Sequence, residues 1–268
     1  MAEKSFDNWK KIVVKVGTST IVQENGQINL PIIGQLVQTL CALRNQNREV
    51  VFVTSGAVGV AINQLGFKER PNEIPRQQAL AAIGQADLMA IYNQNFSFYH
   101  QITGQILLTY DVFDNPKMLE NMLNALRELL KMKAIPIINE NDVIAVDEMD
   151  HQHSFGDNDC LAAMVTKIID ADGLIILSDV DALYDRNPHE FANAKAIKRV
   201  GSITKQVINL ASGKSNLGKG GMLTKLKAAK YLLKNDKQML LLPGSEPDGI
   251  LKALSGQEIG TLFANEYK

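Results

Sequence analysis

The stretch Ala134–Ala163, AIPIINENDVIAVDEMDHQHSFGDNDCLAA, decides the fold. It opens on an apolar run, Ala134 to Ile138, with the length and β-branched content of a buried strand. That strand ends in Asn139-Glu140-Asn141-Asp142, four polar side chains at the end where open α/β sheets bind ligands. A long polar loop follows, and Gly156-Asp157-Asn158-Asp159 leads into an apolar helical pattern from Cys160 to Ala171. Asp157 or Asn158 suits an N-cap. A cap needs one such residue, whereas the two tetrapeptides flanking the loop carry seven Asn, Asp or Glu side chains. The surplus points to a binding site.

Upstream, Lys11 to Val16 (KIVVKV) reads as a short strand with Lys15 near its C-terminal end. Lys15 either snorkels to the sheet edge or carries charge to a site. Gly17 is expected to turn the backbone tightly, so that the hydroxyls and amides of Thr18-Ser19-Thr20 face an anion. Pro31 stands where a first helical residue belongs, and Ile32, Ile33, Leu36, Val37, Leu40 and Leu43 follow at helical spacing. Val50 to Val53 is a buried strand ending in Thr54-Ser55-Gly56-Ala57, an arrangement that aims amide N–H groups at an anion. Arg76 to Phe98 is a long helix whose Ala79, Ala82, Ile83 and Ala86 suit a subunit interface. Gln105 to Thr109 makes a third strand and Pro116 to Lys131 an amphipathic helix.

Downstream, Gly173 to Leu177 is a strand ending in Ser178-Asp179-Val180-Asp181. A helical pattern from Ser202 to Ser212, a glycine-rich loop from Gly213, and a helix over Leu223–Leu233 come next. Gln238 to Leu242 and Gly260 to Phe263 complete the strands. This alternation predicts an α/β fold: a three-layer sandwich with a mostly parallel central sheet and helices on both faces. With no repeat or linker, residues 1–268 are expected to form a single domain.

A balance of 28 basic against 29 acidic residues leaves no global field favouring nucleic acid or an anionic membrane. No apolar run reaches membrane-spanning length, and MAEKSFDNWKK lacks a signal-peptide core, so a cytoplasmic protein is expected. Cys41 and Cys160 form no metal-binding spacing. His151 and His153 lack further zinc ligands at plausible spacing. Gly213 to Gly220 misses the nucleotide P-loop, because Gly220 replaces the required Ser or Thr and no strand precedes it. With Lys214, Lys219 and Lys225 around a helix start, phosphate contact still fits. The dinucleotide fingerprint and the protein-kinase catalytic set are absent. Two lysines, two glycine-rich turns and a set of carboxylates suit phosphoryl transfer, which needs alignment and charge neutralisation. A carboxylate acceptor needs no general base at neutral pH.

Nine blocks together resemble the glutamate 5-kinases of the amino acid kinase family. They are Lys11–Thr18 (KIVVKVGT), Thr54–Gly59 (TSGAVG), Ala81–Met89 (AAIGQADLM), Gln105–Thr109 (QILLT) and Ile135–Asp142 (IPIINEND). Phe155–Asp159 (FGDND), Ser178–Tyr184 (SDVDALY), Gly218–Lys225 (GKGGMLTK) and Gly260–Phe263 (GTLF) follow in the family's order. The resemblance implies the amino acid kinase fold and ATP-dependent phosphorylation of the γ-carboxylate of L-glutamate, the first step of proline synthesis. It implies Lys15 and Lys225 on the transferring phosphoryl group, with Asp159 and Asp157 orienting them. Ser55, Asp142 and Asn158 match its glutamate-binding positions, with Asp142 the partner of the α-ammonium. Lys15, Ser178, Asp179, Lys219, Gly220, Gly221, Met222, Leu223, Thr224 and Lys225 match its ATP site. Mg2+ on the phosphates, a homo-oligomer (dimer or tetramer), and feedback by L-proline through the loop Val143–Ser154 are also implied. Unlike many members, the chain is expected to lack a C-terminal PUA domain. It also has Gly244-Ser245 after Leu242-Pro243 where the family more often shows Asn-Gly, and a weakened charged and aromatic pattern over Tyr110–Asn121. Two alternatives stay open: a relative acting on acetylglutamate, carbamate or a nucleoside monophosphate, and a non-catalytic amino acid sensor. The two lysines argue against a sensor.

Overall fold

The computed structural model describes residues 6–23, 25–145, 158–188, 190–191, 193–211 and 221–265. The first half of the chain gives β1 (Lys11–Val16), α1 (Thr18–Ile21), α2 (Leu30–Asn45), β2 (Glu49–Val53), α3 (Ala57–Leu65), α4 (Ile74–Ser97), β3 (Thr103–Leu108), α5 (Asp111–Asp114) and α6 (Pro116–Lys131). The second gives β4 (Ile135–Glu140), α7 (Asn158–Ile168), β5 (Gly173–Ser178), β6 (Arg199–Val200), α8 (Lys205–Ala211), α9 (Met222–Lys234), β7 (Gln238–Pro243), α10 (Gly249–Leu254) and β8 (Thr261–Phe263). One sheet takes all eight strands in the order β3-β4-β2-β1-β5-β7-β8-β6. Every pairing is parallel except β7 with β8. The expected three-layer α/β sandwich is the one observed.

Period-two alternation divides the strands between two cores. Ile12, Val14 and Val16 of β1 join Phe52, Ile137, Ile175 and Leu242 in the core under α2, α4 and α10. Val13 joins Val51, Val53, Ile138 and Ile176 in the core under α6, α7 and α9. Lys15 shares the face of Val13, so register alone carries it toward α7 and α9. The chain builds from β1 outward to β2 and the edge strand β3, returns to place β4 between them, then crosses to β5 on the other flank. The crevice at that reversal, at the C-terminal strand ends, is where open sheets hold ligands.

Two glycines secure this geometry, and neither is Gly17. A Cβ on Gly84 of α4 would lie 1.8 Å from the Ala57 carbonyl oxygen, so only glycine lets α4 cross α3 this closely. Gly56 sits at φ 95°, a left-handed conformation at the start of α3 that suits glycine. Gly17 was expected to turn tightly, but its φ of −80° and ψ of 158° are ordinary extended backbone open to any residue. What its bare Cα provides is space: a Cβ there would stand 3.8 Å from Lys15 Nζ. The short elements α1, α5, α10 and β6 had no sequence expectation, because two to six residues hold less than two turns or one alternation.

Candidate active site

At the C-terminal strand ends lies a cavity of about 1430 Å³, lined among others by Lys15, Ser55, Asn139, Asp142, Asn158, Ser178, Asp179 and Lys225. Its floor is an ion cluster. Lys15 Nζ lies 2.5 Å from Asp159 Oδ1, and Lys225 Nζ lies 3.3 Å from Asp159 Oδ2. Thr224 donates its hydroxyl to Asp159 Oδ2 at 2.9 Å. The side chains of Lys15 and Lys225 are 4% exposed and that of Asp159 is 0% exposed, so these charges meet each other rather than water. Lys15 is therefore not a lysine snorkelling to the sheet edge. Burial pushes the Asp159 carboxyl up, but Lys15, Lys225 and the attendant hydrogen bonds outweigh it and hold the group below the usual carboxylate range. Two ammonium groups share one carboxylate at a cavity wall.

Three elements bring the expected amino-acid residues to one side. Ser55, just past β2, donates to the Val16 carbonyl at 3.2 Å and shares a 3.1 Å hydrogen bond with Thr18. Asp142 lies in the turn after β4, and Asn158 opens α7. Instead of capping α7, the Asn158 amide donates to the Thr54 carbonyl at 2.7 Å and to Asn139 Oδ1 at 2.9 Å. The Thr54 hydroxyl is in turn bound to the Tyr92 hydroxyl at 2.8 Å. Burial pushes the Tyr92 phenol up, the Thr54 hydrogen bond opposing in part, so Tyr92 is a neutral prop rather than an acid–base group.

Ser178 and Asp179 stand on the opposite side, where the Ser178 hydroxyl donates to Asp179 Oδ1 at 2.8 Å. Gly221, at the N-terminal end of α9, and Met222 line the same wall. A helix start of this kind presents unpaired amides and a positive dipole end to an anion. Of the residues matched to the nucleotide site, Leu223 is 39% exposed and Thr224 turns inward to Asp159, and neither lines the cavity. Asp157, Lys219, Gly220, His151, His153 and most of the 143–154 loop lie outside the described residues.

The model of the amino acid kinase family matches residues 10–242. The glutamate 5-kinase of Ligilactobacillus salivarius is 51% identical over 264 residues, covering 98% of this chain and 99% of its own. That of Lactiplantibacillus plantarum is 49% identical over 95% of this chain and 96% of its own, and that of Streptococcus uberis 45% over 99% of each. The chain belongs to the glutamate 5-kinases of the amino acid kinase family.

Solved structures agree on the architecture. UMP kinase from Bacillus anthracis superposes with a TM-score of 0.63 at 12% identity, covering 96% of this chain and 97% of its own. Carbamate kinase from Giardia lamblia bound to AMP-PNP gives 0.66 at 12% identity, covering 96% and 99%. The fold thus carries acceptors other than a glutamate 5-kinase's, and the acceptor must be read from the side chains. For this glutamate 5-kinase family member, residue patterns had not singled out Asn139 by itself, nor Arg70 and Arg186, which also line the cavity. Asn139 lies in the polar tetrapeptide ending β4 and was legible as part of a group. The two arginines sit in loops without periodicity, and nothing in their surroundings marks them.

Proposed function

We propose that this chain transfers the γ-phosphoryl group of ATP to the γ-carboxylate of L-glutamate, yielding γ-glutamyl phosphate and ADP, at the opening step of proline synthesis. The observation that carries the reading is the buried Lys15–Asp159–Lys225 cluster, set between an amino-acid wall and a phosphate wall. A glutamate γ-carboxylate oxygen, ionised at neutral pH, attacks the γ-phosphorus in line, and the bridging oxygen leaves with ADP. No proton has to be removed from the acceptor. The chain's task is alignment and neutralisation. Lys15 meets the transferring group from the glutamate side, and Lys225, on the first turn of α9, meets charge developing on the bridging oxygen. Asp159 holds the two ammonium groups, whose mutual repulsion it offsets. Asp157, Lys219 and Gly220 complete these sets in the proposal.

Mg2+ belongs to the proposal as the ion that neutralises the phosphates when bound. The cavity wall on the phosphate side carries the carboxylates of Asp179 and Asp181, oxygen donors of the kind magnesium takes directly or through its waters. The test is an assay with glutamate, ATP and Mg2+, using hydroxylamine to trap the acyl phosphate. Absence of glutamate-dependent hydroxamate would overturn the reading, and a panel of acetylglutamate, carbamate and nucleoside monophosphates would expose a different acceptor.

Asp142 is assigned to the α-ammonium. Asp142→Ala is expected to raise the glutamate KM by roughly thirtyfold or more, as for loss of a charged hydrogen bond of about 2–3 kcal/mol, with the ATP KM little changed. Initial rates against each substrate check this, and an unchanged glutamate KM removes Asp142 from the site.

Feedback by L-proline is part of the same reading, since proline offers the α-carboxylate and amine without a γ-carboxylate for Lys15 to serve. Inhibition should be strong at low glutamate and relieved at saturation, through mutual antagonism of overlapping sites. Proline without effect at low glutamate ends that proposal. A homo-oligomer is supported by the outward-facing Ala79, Ala82, Ile83 and Ala86 of α4, with Ile83 42% exposed. Sedimentation equilibrium returning a monomer would reject it. No described helix is long and apolar enough to cross a membrane. The reading includes one kinase domain over 1–268 and a cytoplasmic location, checked by a single unfolding transition and by cell fractionation.

A further inference from the structure

Gln85 is an inward-facing polar side chain of α4, and it does not line the cavity. It meets Asn139 at the end of β4, and Asn139 meets Asn158 at the start of α7. Asn139 Nδ2 donates to Gln85 Oε1 at 2.7 Å, and Asn158 Nδ2 donates to Asn139 Oδ1 at 2.9 Å. The chain of amides ends on the Thr54 carbonyl, which accepts from Asn158 Nδ2 at 2.7 Å.

A side-chain amide taken alone can be turned either way round, but these three cannot. The Thr54 carbonyl only accepts, so the Asn158 NH2 group must face it. Asn139 then has to offer oxygen to Asn158, which turns its own NH2 group toward α4. There Gln85 has to answer with oxygen. One backbone carbonyl therefore sets the polarity of all three side chains. Two atoms are left over. Asn158 Oδ1 and Gln85 Nε2 are buried and have no hydrogen-bond partner among the described residues. Asn158 itself is 8% exposed and lines the cavity.

We propose that Gln85 is a positioning residue for the amino-acid substrate: through Asn139 it holds Asn158 with its Oδ1 kept free as an acceptor for the ligand's ammonium group. The inference rests on the reading of Asn158 as a glutamate-binding residue. An acceptor suits a donor such as ammonium and opposes a carboxylate, so Asn158 and Asp142 serve the same end of the substrate. Tyr92, seven residues on from Gln85 and on the same face of α4, secures Thr54, where the polarity begins. One helix thus braces both anchors of Asn158 through two side chains, Gln85 and Tyr92, that do not line the cavity.

The test uses the full chain with initial rates at saturating ATP. Gln85→Met keeps the bulk of the side chain and removes the accepting oxygen; it is expected to raise the glutamate KM about tenfold, the effect of one misdirected hydrogen bond. The ATP KM and kcat should stay within about twofold, a split that general loosening of the fold does not produce. Gln85→Glu keeps an oxygen for Asn139 and should restore the KM to within about threefold of wild type. In an Asn158→Ala background, Gln85→Met should add less than about twofold, because its route to the substrate is gone. An unchanged KM in Gln85→Met overturns the proposal. So does an equal rise in both backgrounds, or a Gln85→Glu no better than Gln85→Met. If Gln85→Met does not fold, Gln85→Ala carries the same comparisons. A wild-type chain that forms no glutamate-dependent acyl phosphate sinks the underlying reading instead, so the two failures are distinguishable.

Discussion

Lys15→Ala and Lys225→Ala are each expected to lower kcat roughly a hundredfold while the glutamate KM moves only a few-fold. A charge aimed at developing negative charge acts mainly in the transition state, and losing one such donor costs about 3 kcal/mol. The cluster makes the effect separable from stability. Asp159 is shared by two ammonium groups, so removing either lysine leaves the carboxylate paired with the other. Both variants should therefore fold, with unfolding midpoints close to wild type. Steady-state rates over both substrates decide the matter: near-normal kcat in either variant would falsify the catalytic role given to that lysine.

Asp159→Asn should do more damage than either lysine variant, and to a different property. It takes away the carboxylate that two buried ammonium groups share and leaves an amide that can accept toward only one of them and points NH2 at the other. Removing one partner of a buried ion pair costs about 3–5 kcal/mol, enough to lower the denaturant midpoint markedly. Activity should fall at least as far as in the lysine variants, because neither ammonium group is then aimed.

The pH dependence follows from the same carboxylate. Its folded value is held below the ordinary one of about 3.9, so its contribution to stability is fully present above that pH and is lost as pH falls through the folded value. The stability gap between wild type and Asp159→Asn should be flat from about pH 8 to 5 and shrink below about pH 4. A gap that is absent at pH 7, or that widens in acid, rules out this account of the cluster.

Local pattern determined a good deal by itself. β-branched runs and helical periods placed the longer strands and helices, since each element repeats its own signal over several residues. Period two also committed Lys15 to the face opposite Ile12 and Val14, although no property of KIVVKV says what waits there. The polar tetrapeptides around residues 139–142 and 156–159 marked a site because they hold more carboxylates and amides than turns and caps require. The resemblance then supplied roles for Lys15, Asp159 and Lys225.

Tertiary structure alone decided what these side chains meet. That Asp159 lies between two lysines depends on β1, α7 and α9 converging on one side of the sheet, from segments more than sixty residues apart. Gly84 has to be glycine because α3 stands against it at a distance no Cβ permits. Gly17 looked like a turn residue, yet its backbone is extended and its lack of a side chain leaves room beside Lys15. The orientation of Asn158 was beyond any reading of Gly-Asp-Asn-Asp, because it is set by a carbonyl of β2's exit and an amide of α4. Residue pattern reports how a segment repeats along the chain. Hydrogen-bond polarity and ion pairing are properties of atoms brought together across it, and only the packed sheet and helices bring them together.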